Sequence, residues 1–243
     1  MKKLFASAAV AAALLLAATE VKAQLYVGVG FLNSTEITRY TNNDPKFTEN
    51  MGGFYVGASY NFNLVGGLGF APGFYLDGLF QTVNYKEDPL HYQKTFGPGF
   101  SFSNGIYREL GLNIPLNLTY KFEINENVKI AIYGGVVGQF VPLAHTTYRE
   151  GVITPVGIVV GPRGGRVFYA TKGDTYKYDH LWSSNADMRP FNMYAGGGVA
   201  VQLGDIQIMV GYDHSLLNVS RIEGERTGRS QIKVGVNFTI GED

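Results

Sequence analysis

The sequence predicts an all-β fold: an eight-stranded antiparallel up-and-down transmembrane β-barrel with short periplasmic turns and long extracellular loops. Three observations carry this expectation. Apolar and polar or small residues alternate with period two in eight separate segments. The links between segments alternate between short and long, as in outer-membrane barrels. The polar faces are built from Gly, Asn, Gln, Thr and Tyr rather than from the lysines and glutamates of a water-facing surface.

Glu109 to Phe122 is the clearest segment. Leu110, Leu112, Ile114, Leu116, Leu118, Tyr120 and Phe122 alternate with Glu109, Gly111, Asn113, Pro115, Asn117, Thr119 and Lys121. Successive side chains of a strand point to opposite faces, so this is one long two-sided strand. Leu25 to Phe31, Phe54 to Phe62, Phe70 to Thr82, Val128 to Phe140, Met193 to Leu203, Ile206 to Tyr212 and Ile232 to Ile240 repeat the pattern. Short links follow strands two, four and six, at Asn61 to Leu68, Glu123 to Asn127 and Gly204-Asp205. Long links, roughly residues 33–50, 86–106, 142–189 and 214–229, follow the odd strands. Pro115 cannot donate to a ladder, so a bulge or a water-satisfied partner carbonyl is expected there.

Ahead of the first strand, residues 1–23 read as a secretory signal peptide, leaving 24–243 as the barrel domain. Lys2 and Lys3 precede the apolar run Ala8 to Ala18, and Val21-Lys22-Ala23 suits cleavage before Gln24. The run has eleven residues, too few for a helical anchor, which needs about 20. Cleavage removes three lysines and Glu20, leaving 17 basic and 19 acidic residues.

Composition narrows function. The 243 residues contain no cysteine, 16% charged residues and a formal net charge of zero. These exclude a disulfide scaffold, a Cys-based metal centre and a polyanion binder, nucleic acid included, that relies on bulk basicity. With 32 Gly, 16 Tyr and 16 Phe, the chain is not a disordered one. A soluble lipocalin-like barrel also alternates, but it would turn the apolar face inward. About five large apolar residues per strand would overfill an eight-stranded interior, so lipid is the expected solvent for that face.

All nine arginines fall in or beside the long links. Arg149, Arg189, Arg221, Arg226 and Arg229 are therefore expected to meet outer-leaflet phosphates, including those of lipopolysaccharide, through bidentate contacts. Aromatics bracket the apolar bands, with Phe62, Phe70, Tyr120, Phe122 and Phe238 on the short-turn side and Phe31, Phe80, Phe140 and Tyr212 on the other. Inside, Asp77, Gln81, Lys121, Lys129, Gln139 and Lys233 are expected to form a polar and ionic network. In the register assumed, Asp77 faces Lys121, Lys129 and Lys233, and the network plugs the lumen. A narrow conductive path is the alternative.

Leu112-Asn113-Ile114-Pro115-Leu116, Tyr212 to Val219 (YDHSLLNV) and the ending Lys233 to Ile240 resemble the Gram-negative outer membrane protein β-barrel domain family, which includes PorT-like proteins. The resemblance covers the whole mature chain through loose motifs. It implies an outer-membrane location and a role beside envelope or secretion machinery. Lys233, Gly235, Phe238 and Ile240 resemble the C-terminal signal read by the barrel-assembly machinery. Most such signals stop at an aromatic, whereas this chain places Ile240 in the last apolar slot and continues with Gly241-Glu242-Asp243.

Catalysis is not expected. In Asp213-His214-Ser215, adjacent strand residues face opposite ways, so His214 and Ser215 cannot share a proton. His145, Asp179, His180 and Asp187 lie in the longest link without metal-ligand spacing, and are read as solvated loop residues rather than an acid–base cluster. A lipid-modifying enzyme using His214 or His180 is the least favoured reading, and no cofactor or metal is expected. Gly161 to Arg166 lacks a phosphate-loop Lys-Ser/Thr and reads as a hairpin turn between Val156–Val160 and Val167–Thr171. The hairpin, residues 156–171, either extends the strands above the membrane, offering an edge to an envelope protein, or folds over the mouth as a lid. The lid is the expected arrangement. The function anticipated is a structural or interaction protein with its specificity in the extracellular loops.

Overall fold

The computed structural model describes residues 23–40, 47–84, 100–161, 164–184 and 186–240. The signal-peptide reading therefore lies outside the described residues. Among the described residues there are nine strands: β1 (Ala23–Tyr40), β2 (Phe47–Asn63), β3 (Leu68–Asn84), β4 (Phe100–Asn125), β5 (Val128–Gly161), β6 (Gly164–Asp179), β7 (Phe191–Leu203), β8 (Ile206–Ser215) and β9 (Glu225–Ile240). The order is β4-β3-β2-β1-β9-β8-β7-β5-β6, with β4 also pairing with β5. Eight strands close the barrel. The ninth, β6, pairs only with the upper half of β5, from His145↔Asp179 to Gly161↔Gly164.

The apolar faces point outward. Phe31, Phe54, Val56, Ile114, Leu118, Val199, Ile208 and Val234 are exposed, while their strand neighbours Gln24, Asn61, Asp77, Asn113, Gln139, Gln202 and Gln231 are buried in the lumen. An apolar surface that encircles the molecule has no counterpart in a water-soluble monomer, whose patches reach only a few hundred Å². Aromatic rings border this band. Phe31, Phe54 and Phe80 form a cross-strand series with centroids 5.0 and 5.8 Å apart. Phe140–Phe191 continues it at 4.9 Å, and Tyr120–Phe122 marks the short-turn side at 4.7 Å.

Inward tyrosines explain the inward glycines. Gly30 and Gly235 are cross-strand partners. A Cβ on Gly30 would sit 2.5 Å from Tyr55 Cζ, and one on Gly235 would sit 1.9 Å from Tyr55 Oη. Gly198 and Gly211 are likewise partners, and the Tyr133 hydroxyl fills the space above both. Rings over glycine pairs fill the lumen where a uniform wall of side chains would clash.

Three expectations are corrected. The strands run far into the predicted long links, because paired backbone continues above the band where neither face needs to be apolar. Of the two alternatives at Pro115 the bulge is absent: Pro115 pairs with Val137, and the β3–β4 ladder lapses opposite it, between Pro72↔Leu116 and Tyr75↔Asn113. The bulge lies instead opposite Gly111, where Leu110↔Leu143 and Leu112↔Phe140 give Val141-Pro142 one residue too many. Finally, the 156–171 hairpin is no lid, since it prolongs β5 in unbroken antiparallel pairing apart from a shift at Pro155/Gly157.

Candidate functional site

The lid over the mouth is the β6–β7 connection. From it, Leu181 inserts into the upper lumen against Leu32, Met51, Leu79, Tyr107 and Val141. Its backbone is tied on three sides. His180 N donates to Ala144 O (3.0 Å), Val141 N to Pro190 O (2.7 Å), and Arg189 N to Val219 O (2.8 Å). The single tryptophan, Trp182, donates from Nε1 to Pro142 O at 2.9 Å, which uses the carbonyl turned out by the bulge. Asp179 starts the turn by accepting from the amides of Leu181 (2.9 Å) and Trp182 (3.1 Å), and these bonds hold its carboxyl below the ordinary range.

His180 locks the lid to the wall. Its Nδ1 lies 2.9 Å from Asp187 Oδ1 and its Nε2 lies 2.8 Å from Thr146 Oγ1. Its ring makes edge contacts with Tyr107 and Tyr178. Thr146 points inward because the Val141-Pro142 bulge shifts the side-chain alternation of β5 by one residue. The hydroxyl–imidazole–carboxylate order has the polarity of a hydrolase relay. Here the imidazole joins the lid to Thr146 of β5, so the relay ties the lid to the wall.

Beneath the lid, Arg229 spans the lumen. Its side chain is 2% exposed and every branch is occupied. Nε donates to Glu36 Oε2 at 2.7 Å, Nη1 to both oxygens of Glu109 at 2.8 Å, and Nη2 to the Tyr107 hydroxyl at 3.4 Å. The Tyr107 hydroxyl in turn donates to Glu109. Arg229 is thus removed from the set of outer-leaflet contacts: it lies on the same face of β9 as Gln231 and Lys233 and looks into the barrel. Arg189, Arg221 and Arg226 are exposed, and the side chain of Arg149 lies outside the described residues.

The Arg229 cluster floors a mouth cavity of about 260 Å³, whose lining includes Glu36, Glu49, Gln81, Asp187 and Glu225. Partial burial, and then Glu36 across the ladder, push the Glu49 carboxyl up. The vestibule is acidic. Below the cluster lie two smaller chambers of about 70 Å³ each, which share Tyr75, Asn117, Tyr133 and Met209 in their walls.

The residues expected to form one lumen network make separate contacts. Asp77 meets no lysine among the described contacts; Gln139 Nε2 donates to it at 3.3 Å. Lys233 pairs with Asp213 at 2.7 Å and Lys129 with Glu123 at 3.3 Å. Lys121 donates to Gln24 (2.8 Å) and Tyr26 (3.0 Å), nearer the short turns. The residues assumed to share one layer occupy several heights, because strand tilt staggers them. Asp213 faces inward, His214 outward onto Ser230 Oγ at 2.9 Å, and Ser215 inward, so His214 and Ser215 do face opposite ways.

The sequence does not announce Glu36, Tyr107, Glu109 and Arg229 as one cluster. The signal was available. Carrying the inward parity of Gln231 and Lys233 two residues further along β9 reaches Arg229, and the polar face that holds Asn113 already contained Glu109.

No family model and no curated protein matches the chain. Solved structures do. The attachment invasion locus protein Ail of Yersinia pestis, in complex with the heparin analogue sucrose octasulfate, is similar with a TM-score of 0.37 and 11% identity, over 90% of this chain and 99% of that one. Neisserial surface protein A gives 0.35 and 11% over 90% and 99%. The N-terminal β-barrel domain of Pseudomonas aeruginosa OprF gives 0.31 and 10% over 90% and 100%.

Proposed function

We propose that the chain is a non-enzymatic integral protein of the outer membrane, delivered there by the barrel-assembly machinery, with a closed lumen and an interaction role at its extracellular rim. The outward apolar band supports the membrane reading, because no other arrangement gives that surface a solvent. One observation carries the closed lumen: the Arg229–Glu109–Glu36 cluster lies between the mouth cavity and the chambers below. The rim has an obvious contact element. Along β6, the edge away from β5 is unpaired among the described residues, and such an edge accepts a strand from another envelope protein. The loose motifs at residues 112–116, 212–219 and 233–240 that resemble PorT-like proteins fit a partner of this kind.

A narrow pore is the second reading, favoured by the shared walls of the two lower chambers. Two measurements decide. The protein in isolated outer membranes is run on a gel unheated and boiled; a membrane-bound band that shifts on boiling is expected, and a soluble, unshifted band sinks the membrane reading. The purified protein is then placed in a planar bilayer, where no sustained conductance is expected. Stepwise currents altered by Asp77→Asn or Lys233→Gln would establish the pore instead.

A further inference from the structure

The outer wall of the barrel carries a basic crevice distinct from the acidic mouth. Arg39 of β1 and Arg226 of β9 are direct cross-strand partners. Both are exposed on the lipid-side face. Like charges directly opposite each other destabilise a ladder. Among the described residues neither guanidinium makes an ion pair or side-chain hydrogen bond. Next along the same face, Ile37 pairs with Gly228, which has no side chain, and a recess opens there. The recess holds about 260 Å³ and is bordered by Arg39, Arg226, His214, Leu216 and Leu217. Leu216 and Leu217 are exposed. Two cations and an apolar wall around one recess suit an amphiphilic anion.

Height identifies which anion. The continuous apolar band ends at Phe31 and Ile232, and Asn33, Thr35 and Ser230 follow on the same face. Arg39 stands eight residues beyond Phe31, roughly 26 Å along the strand and about 20 Å along the axis of a barrel with ordinary tilt. A glycerophospholipid headgroup layer is only about 5–8 Å thick on each side of the hydrocarbon core. Its phosphate falls short of the pair even when the guanidinium groups lean back toward the membrane. A headgroup of several phosphorylated sugars spans the gap.

We propose that Arg39 and Arg226 form a binding site for a sugar-borne phosphate of an outer-leaflet glycolipid, with Leu216, Leu217 and His214 lining the approach. Two guanidinium forks can grip one phosphate bidentately, which relieves their mutual repulsion. The site rests on the outer-membrane reading and names the lipid that the rim recognises there.

The test uses the mature chain in phosphatidylcholine nanodiscs, titrated with fluorescent lipopolysaccharide carrying phosphorylated core sugars. Arg39→Gln/Arg226→Gln is expected to weaken binding at least tenfold, and lipopolysaccharide stripped of phosphate is expected to bind the unaltered protein equally weakly. Inorganic phosphate at millimolar concentration should not compete. Binding of the double variant within twofold of the unaltered protein overturns the proposal, as does indifference to dephosphorylation. Tight phosphatidylglycerol binding that depends on the two arginines overturns the headgroup assignment. The heat shift of the double variant reports its fold, with Arg39→Lys/Arg226→Lys as the milder pair: it keeps the charge, loses the forks and should bind with intermediate affinity. A chain that never enters membranes defeats the outer-membrane reading itself, whereas an inserted chain whose affinity ignores the pair defeats this site alone.

Discussion

Removing Arg229 is the most informative perturbation of the lumen. Arg229→Ala leaves Glu109, whose side chain is 0% exposed, without both of its Nη1 bonds, and leaves Glu36 without its Nε partner. The Tyr107 hydroxyl still donates to Glu109 but cannot balance a charge. Taking one partner from a buried ion pair costs about 3–5 kcal/mol, most of it the penalty on the charge left behind. Glu109→Ala should cost somewhat less, because Arg229 keeps Glu36. Glu36→Gln should cost about 1 kcal/mol or less, since that side chain is 20% exposed and water takes over part of the contact. Arg229→Ala/Glu109→Ala removes both charges together, so its cost should fall short of the summed singles by about 2–3 kcal/mol. The assay is urea unfolding in phosphatidylcholine vesicles, followed by gel mobility for the whole barrel and by fluorescence of the lone Trp182 for the lid. The reasoning fails if Arg229→Ala unfolds within about 1 kcal/mol of the unaltered protein, or if the double cost equals the sum within about 0.5 kcal/mol.

Three further outcomes are expected. Leu116→Lys, in the middle of the outward band, should destabilise the barrel by about 2–4 kcal/mol in vesicles; a change under about 0.5 kcal/mol would mean that this face does not meet lipid. Gly235→Ala drives a methyl group to 1.9 Å from the Tyr55 hydroxyl and 2.9 Å from the Val29 carbonyl, and should cost about 1–3 kcal/mol of urea stability. Part of that loss should return in a Tyr55→Ala background, and no recovery would place the strain against the Val29 carbonyl rather than the ring. His180→Ala cuts the side-chain link from the lid to Thr146 and the bond to Asp187 within the lid, so amide exchange over residues 180–190 should quicken severalfold while β1 and β9 are unaffected. Unchanged exchange there would show that Leu181, the Trp182 indole and the backbone bonds hold the lid without His180.

What could be read in advance follows from which solvent each residue faces. Between Leu25 and Phe31, or Leu110 and Phe122, one face meets lipid and the other a polar lumen, so composition alternates as sharply as geometry does. The eight barrel strands and their short turns were legible for that reason. Above the band both faces meet water or the plug, and Ser34 to Thr38 continue pairing with no contrast left to reveal it. The strand ends therefore read as loops, and Arg229 with them as a loop residue. The bulge at Val141-Pro142 was hidden differently. It shifts parity by one residue, which moves Ala144 and Thr146 inward and puts Leu143 out. The lid shows the limit most plainly. Leu181 reads as one apolar residue in a polar stretch, and only the closure of eight distant strands around it makes a pocket for its side chain. The hairpin at 156–171 had the stronger local β signal, and local signal was a sound guide to its pairing with β5. It was no guide to which segment covers the mouth, because that depends on where β5 ends relative to the rim, a quantity set by the bulge and the stagger rather than by residues near the turn.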